Sequence, residues 1–220
     1  MKFDIKDLPY SQFEQLGMNR RDVLNMPAQE LANMLNGGRT GLLSLNIPLA
    51  DGMKPIQADV KLSLIRNPDN TLSLGVHPIL AKPTNSIGAT PEQWDRMLKG
   101  EPIVKEAKTY NGTIEPHIFQ LDKQTNEMLS ARLNAIQLPN AIKDTVLSTD
   151  QKEQLKKGLP VEIENKSTKE PFSIRLDLNE PKGYKILTGE QSREQQQEAK
   201  TGLKLETPKE IETVSRGIKM

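Results

Sequence analysis

The sequence predicts an α+β protein made of repeated units, each a short helix followed by antiparallel strands, in about three copies. A disordered or loosely helical polar tail follows them. Three observations carry this. A helix–glycine–strand phrase recurs at a constant offset, as repeat architectures do. The segments after each glycine alternate apolar and polar residues, which is the period of a strand. The last part of the chain, from about Thr188, is almost bare of apolar side chains; Gly189-Glu190-Gln191-Ser192-Arg193-Glu194-Gln195-Gln196-Gln197-Glu198 has none. Such a segment buries too little surface to offset its ordering entropy.

The phrase is clearest in Pro91-Glu92-Gln93-Trp94-Asp95-Arg96-Met97-Leu98-Lys99-Gly100-Glu101-Pro102-Ile103 set over Thr149-Asp150-Gln151-Lys152-Glu153-Gln154-Leu155-Lys156-Lys157-Gly158-Leu159-Pro160-Val161. A fainter copy starts at Pro27 and ends at Gly37, with its register slipped by about one residue. Thr90 and Ser148 suit N-caps, and Pro91 suits the first helical position. The glycines stand where a left-handed residue would end each helix. Helices this short are marginal alone and need a partner surface.

Strands supply it. The first unit offers 42–47, then 56–64, then a turn at Asn67-Pro68-Asp69-Asn70 and a strand at 72–76. The second offers Ile103 and Val104, 117–121 and 128–133, with turns at Tyr110-Asn111-Gly112 and at 122–126. The third offers 161–163, 172–178 and 184–187. Alternation predicts one buried and one exposed face per sheet, with the helix covering the buried one. Two further helix patterns precede the first unit, at 9–17 and 21–24. The expected organisation is an N-terminal domain over 1–85, two further units over 86–187 and the tail over 188–220.

Composition bounds the chemistry. Among 220 residues there is no Cys and there are 2 His, so thiol nucleophiles, disulfides and thiolate metal sites are out. Lys and Arg number 30 against 29 Asp and Glu. That balance disfavours binding driven by nucleic-acid phosphates. Hydrophobic residues make up 35 % without glycine, low beside the roughly 45–50 %, glycine included, of ordinary domains, which predicts a thin core or an unpacked segment. Early acids at Asp4 and Asp7 predict no secretory leader, and no apolar run approaches membrane length. A cytoplasmic protein without a membrane segment is expected.

Gly37-Gly38-Arg39-Thr40 is the most site-like segment. Glycines let backbone N–H groups approach an anion, Arg39 can grip phosphate or carboxylate, and Thr40 adds a hydroxyl. The competing reading is a helix C-cap running into a strand; the Lys-Ser/Thr ending of a phosphate-binding loop is missing. His77 and His117 read as strand residues rather than metal ligands. No nucleophile elbow is visible. Trp94 is a candidate contact residue, because its counterpart is Lys152 and a core position would be apolar in both copies. Packing between units is the alternative. Arg20, Arg21, Lys152, Lys156, Lys157, Lys166 and Lys169 read as a mixed solvated surface, diluted by Glu153, Glu162, Glu164 and Glu170. No catalytic residue, metal or cofactor is assigned.

Phe119-Gln120-Leu121-Asp122-Lys123-Gln124-Thr125-Asn126-Glu127 and the run 147–158 resemble phrases of a family of domains of unknown function. That family occurs in conjugative and mobile elements of Bacteroidetes. Asp7-Leu8-Pro9, Leu16-Gly17 and Leu35-Asn36-Gly37-Gly38-Arg39-Thr40 resemble a companion domain that often precedes it. Together the two cover most of 1–187. The chain departs from the pattern at Asn165-Lys166-Ser167-Thr168-Lys169-Glu170, where a glycine-bearing basic turn is common. The resemblance implies a mobile-element or phage setting and no activity. The expected function is non-catalytic binding, for a mobile element or phage, of a protein partner or a small anionic ligand through a surface or an inter-unit pocket. The alternatives are sequestration of a small anionic nucleotide signal of host defence, and a DNA-transfer or DNA-processing accessory role.

Overall fold

A computed structural model describes residues 2–49, 53–189 and 191. It is α+β with small antiparallel sheets, as the alternation predicts. After a short 3-10 turn come α1 (Tyr10–Gln15), α2 (Arg20–Leu24) and α3 (Ala28–Leu35). They lead into β1 (Leu43–Ile47), β2 (Ile56–Arg66) and β3 (Leu72–Pro78). The second unit is α4 (Pro91–Leu98) with β4 (Ile103–Lys108), β5 (Ile114–Asp122) and β6 (Glu127–Arg132). The third is α5 (Thr149–Lys156) with strands Val161–Glu164, Pro171–Leu176 and Tyr184–Thr188, numbered below β9, β10 and β11. Between units two and three lies a small hairpin, β7 (Ala141–Ile142) and β8 (Thr145–Val146), which the sequence patterns do not announce. Apart from Thr188, Gly189 and Gln191, the expected polar tail lies outside the described residues.

Each unit is an antiparallel meander with its second strand in the middle, and the named strands pair only within their own unit. The helices α3, α4 and α5 are each 8 residues long. Each ends on a left-handed glycine: Gly37 at φ 88°, Gly100 at 79° and Gly158 at 75°. The glycine N–H and the next N–H bond back to Met34 and Asn33, Met97 and Arg96, and Leu155 and Gln154. This paired closure satisfies carbonyls that the helix would otherwise leave open. Thr90 with Gln93, and Ser148 with Gln151, form capping boxes.

The slipped register of the faint copy disappears. Pro27 is the N-cap of α3, where Thr90 and Ser148 stand in the other units, and is not the counterpart of Pro91. A proline offers no side-chain acceptor for a cap. Glu30, at the place of Gln93 and Gln151, therefore reaches forward and accepts from the Gly41 N–H.

Three separate cores follow. Met34, Met97 and Leu155, each three residues before the helix-ending glycine, are all 0 % exposed. Met34 packs with Val60, Leu62 and Leu64 of β2. Met97 packs with Phe119 and Leu121 of β5, and Leu155 with Phe172 and Ile174 of β10. The opposite faces of these middle strands are solvated only in part, contrary to the expectation: Gln57, Asp59 and Ile65 are exposed, but the polar residues nearer the neighbouring unit are not. Lys61, Gln120, Asp122, Ser173 and Asp177 are all buried. Alternation separates apolar from polar residues; it does not separate inside from outside once polar partners exist on a neighbouring unit.

Candidate functional site

The buried polar faces meet where the units join. Lys61, on β2, donates to both carboxylate oxygens of Asp122 at 2.9 and 2.7 Å. Asp122 ends β5, so this pair ties unit one to unit two. Its Oδ1 also accepts the Gln124 N–H at 3.0 Å, closing the tight turn into β6. Arg39 donates to Oε2 of Glu127, the first residue of β6, at 2.6 Å, and lies 3.9 Å from Asp122. His77, on β3, reaches the same Glu127 oxygen through Nδ1 at 3.0 Å, and its Nε2 lies 2.8 Å from the Ser63 hydroxyl.

Burial, and then the nearby Arg39 charge, press the His77 imidazole below its ordinary pKa, against the pull of Glu127 and Asp122. A neutral ring donates from Nδ1 to Glu127 and accepts at Nε2 from Ser63. Burial opposes ionisation of Glu127, but hydrogen bonding and charge from Arg39, with His77 behind them, hold its carboxyl below the usual range. Gly75 makes the arrangement possible. It stands across from Ser63, and a Cβ there would lie 2.5 Å from Ser63 Oγ and 3.2 Å from His77 Nε2. A glycine inside an alternating strand is a sequence signal of close approach, and it stands beside the Arg39 segment as a sign of this cluster legible in the sequence.

Ser63, His77 and Glu127 connect in the order of a nucleophile relay. Their setting is that of a joint. Ser63 lies within a regular strand rather than on an exposed turn, and the carboxylate that orients His77 is simultaneously neutralised by Arg39.

The second junction repeats the logic of the first. Ile103 pairs with Phe119 and Val161 with Ile174, so Asp177 is the counterpart of Asp122. Its Oδ1 accepts the Asn179 N–H at 3.1 Å, as Asp122 accepts Gln124. It also accepts Nε2 of Gln120 from unit two at 3.2 Å, while the Gln120 side-chain oxygen takes the Leu178 N–H. Arg96, on α4, donates to Gly158 O at 3.2 Å, adding a helix-end contact. Pro181 of the β10–β11 turn lies against Gly38, where a Cβ would come within 2.8 Å of its ring. All three pairs of units therefore touch.

The Gly37–Thr40 segment sits within this junction. The Gly37 and Gly38 N–H groups close α3, and Arg39 is held by Glu127. The Thr40 hydroxyl accepts from the Leu62 N–H at 2.9 Å and donates to Gly41 O. The donors considered for an anion are thus engaged within the chain. Lys2 lies beside Gly37. With Arg66, Asp4 and Asp7 it lines an open depression of about 650 Å³ over Phe3 and α3. Trp94 is partly exposed and packs on the core of its own unit, with Ile87, Ala107 and Met128. His117 stacks on Phe119 with centroids 6.1 Å apart and contacts Glu115 O. The basic residues of unit three mix with acids, as in Lys156 with Glu153 and Lys169 with Glu164. Among the described residues no group of three or more His, Asp or Glu is placed to hold a metal, and no helix is long and apolar enough to cross a membrane.

Sequence reasoning missed Lys61, Ser63, Gln120, Asp122 and Glu127. Each looks like the solvated member of an alternating strand or turn, and only the facing unit gives it a role. No curated protein and no solved structure matches the chain. Residues 3–86, the N-terminal helices together with the first helix-plus-meander unit, match the family model described as Protein of unknown function (DUF4099).

Proposed function

We propose that the protein is a non-catalytic binding protein whose three-unit scaffold presents contact surfaces to a partner. The observation that carries this is the fate of its most reactive groups. Arg39, Lys61, His77 and Glu127, which could serve chemistry or hold a ligand, are paired with one another and with Asp122 across the first unit junction. What faces outward is of another kind. The β4–β5 hairpin tip presents Tyr110 at 99 % and Ile114 at 68 % exposure. An exposed aromatic beside an aliphatic on a projecting hairpin is the composition of a protein contact. The resemblance noted in the sequence supports a mobile element or phage as the setting for such binding.

Sequestration of an anionic nucleotide draws less support, because the depression beside Gly37 sets Asp4 and Asp7 against Lys2 and Arg66. A DNA accessory role draws less still from a chain of net charge +1.

The non-catalytic reading is tested at Ser63. A fluorophosphonate probe should leave Ser63 unlabelled, and small activated esters should not be turned over. Labelling or turnover that disappears in Ser63→Ala overturns it. The contact reading is tested by a photo-crosslinker at position 110 in cells. It should trap a defined partner that Ile114→Ser weakens; trapping no protein counts against the hairpin.

A further inference from the structure

We infer that unit one is a recognition module for an acidic β-turn, and that unit two's turn occupies it within this chain. The two sides of the junction divide by charge. Unit one contributes Arg39, Lys61 and His77, and unit two contributes Asp122 and Glu127, which flank a single turn. The receptor is built in advance. Gly75 opens the space that lets Ser63 fix His77, and the Thr40 hydroxyl, by accepting the Leu62 N–H, locks the Arg39 segment to β2. The ligand is compact, an aspartate ending one strand and a glutamate opening the next, with Asn126 at φ 57° holding the turn. The family model ends at residue 86, so it takes in the whole basic face and none of the acidic turn. No strand ladder crosses the junction among the described residues. Recognition therefore rests on side chains, together with the Leu80 N–H to Thr125 O bond and the Asn126 amide to Leu80 O bond at the turn itself. The partner that fits is a protein hairpin whose turn carries an aspartate and a glutamate at this spacing. The inference does not depend on the Tyr110 hairpin.

The test uses the full chain with a specific protease site inserted after Ala81, cut once folded. The cut protein should keep its circular dichroism spectrum and elute as one species at low salt. Its two parts should come apart on dilution, more readily as salt is raised because the freed charges are screened, and reassociate on concentrating. Asp122→Asn with Glu127→Gln should leave the uncut chain folded, though less stable, and weaken reassociation by at least about 30-fold. Exchanging Glu115 for Gln, in the same unit but away from the turn, should change nothing. Loss of structure on cutting, separation without regard to salt, or reassociation that is the same with and without the two carboxylates overturns the inference.

Discussion

Lys61→Met is the sharpest probe of how the units are joined. The Lys61 and Asp122 side chains are 6 % and 2 % exposed, so solvent screens their attraction little. Removing one partner of a buried ion pair costs roughly 3–5 kcal/mol, because the other charge stays buried. Asp122 keeps the Gln124 N–H and has Arg39 at 3.9 Å, which places the expected loss at the lower end, about 3 kcal/mol. At roughly 2–4 °C per kcal/mol for a chain of this size, the melting temperature falls by about 6–12 °C. Lys61→Met combined with Asp122→Leu removes both charges. It forfeits the Gln124 hydrogen bond, worth about 1 kcal/mol, and should recover most of the rest. Urea unfolding followed by circular dichroism gives the three free energies of the cycle, with m-values checking that the units unfold together. A single-variant loss below about 1 kcal/mol, or a double variant equal to the sum of the singles, would refute the buried pair as the joint.

Gly158→Ala and Gly112→Ala separate backbone strain from unit packing. Both residues have positive φ, 75° and 88°, and an alanine there costs about 1–2 kcal/mol. Only at Gly158 would the new Cβ meet a rigid neighbour, Pro102 O of unit two at 3.0 Å; at Gly112 the nearest atom is Lys108 Cε at 3.8 Å. Gly158→Ala should therefore lose at least about 1 kcal/mol more, and equal losses in paired denaturation experiments would remove Gly158 from the unit contact. For pH, the depressed His77 value means that its contribution is whole above an ordinary histidine pKa of about 6.5 and is lost as pH falls below it. Depression of Glu127 acts in the same sense, with loss as pH falls through its folded value. Urea midpoints should decline from about pH 6.5 downward in wild type and less steeply in His77→Gln; identical slopes would exclude His77 as the titrating group.

Much of the architecture is written locally. Thr90, Ser148 and the three helix-ending glycines act on their own neighbours, so spacing alone predicts three helices and the strands behind them. The faint first copy looked slipped because Pro27 matches Pro91 by letter, whereas the backbone uses it as a cap. The hairpin at 141–146 escaped because two-residue strands carry no period. The junctions were illegible for a different reason. Lys61 sits between Val60 and Leu62 as any outward strand residue would, and nothing within β2 tells that Asp122 faces it. A buried polar pair is a property of two distant segments, and alternation records only one of them.

The low hydrophobic content then has a structural cause besides the polar tail. One large core would need both faces of each sheet to be apolar. Three small cores, each under its own helix, need less, and the second faces can carry buried polar groups beside apolar ones such as Ile118 and Leu129 if each polar group finds a partner. The junctions also choose their partners. Two apolar sheet faces would slide over one another with little penalty, while Lys61 pairs with Asp122, and Gln120, besides donating to Gly100 O in its own unit, makes its remaining side-chain bonds to the Asp177 turn. A misdocked unit would leave these groups buried and unpaired, at several kcal/mol each for the charges. In a chain of three similar units, where unit three could otherwise take the place of unit two against unit one, this is what sets their order. Asp177 is the turn counterpart of Asp122, but Gly183 stands across from it where Glu127 stands across from Asp122. Arg39 and His77 would find no carboxylate at the place of Glu127 on unit three, and the first junction is thereby reserved for unit two.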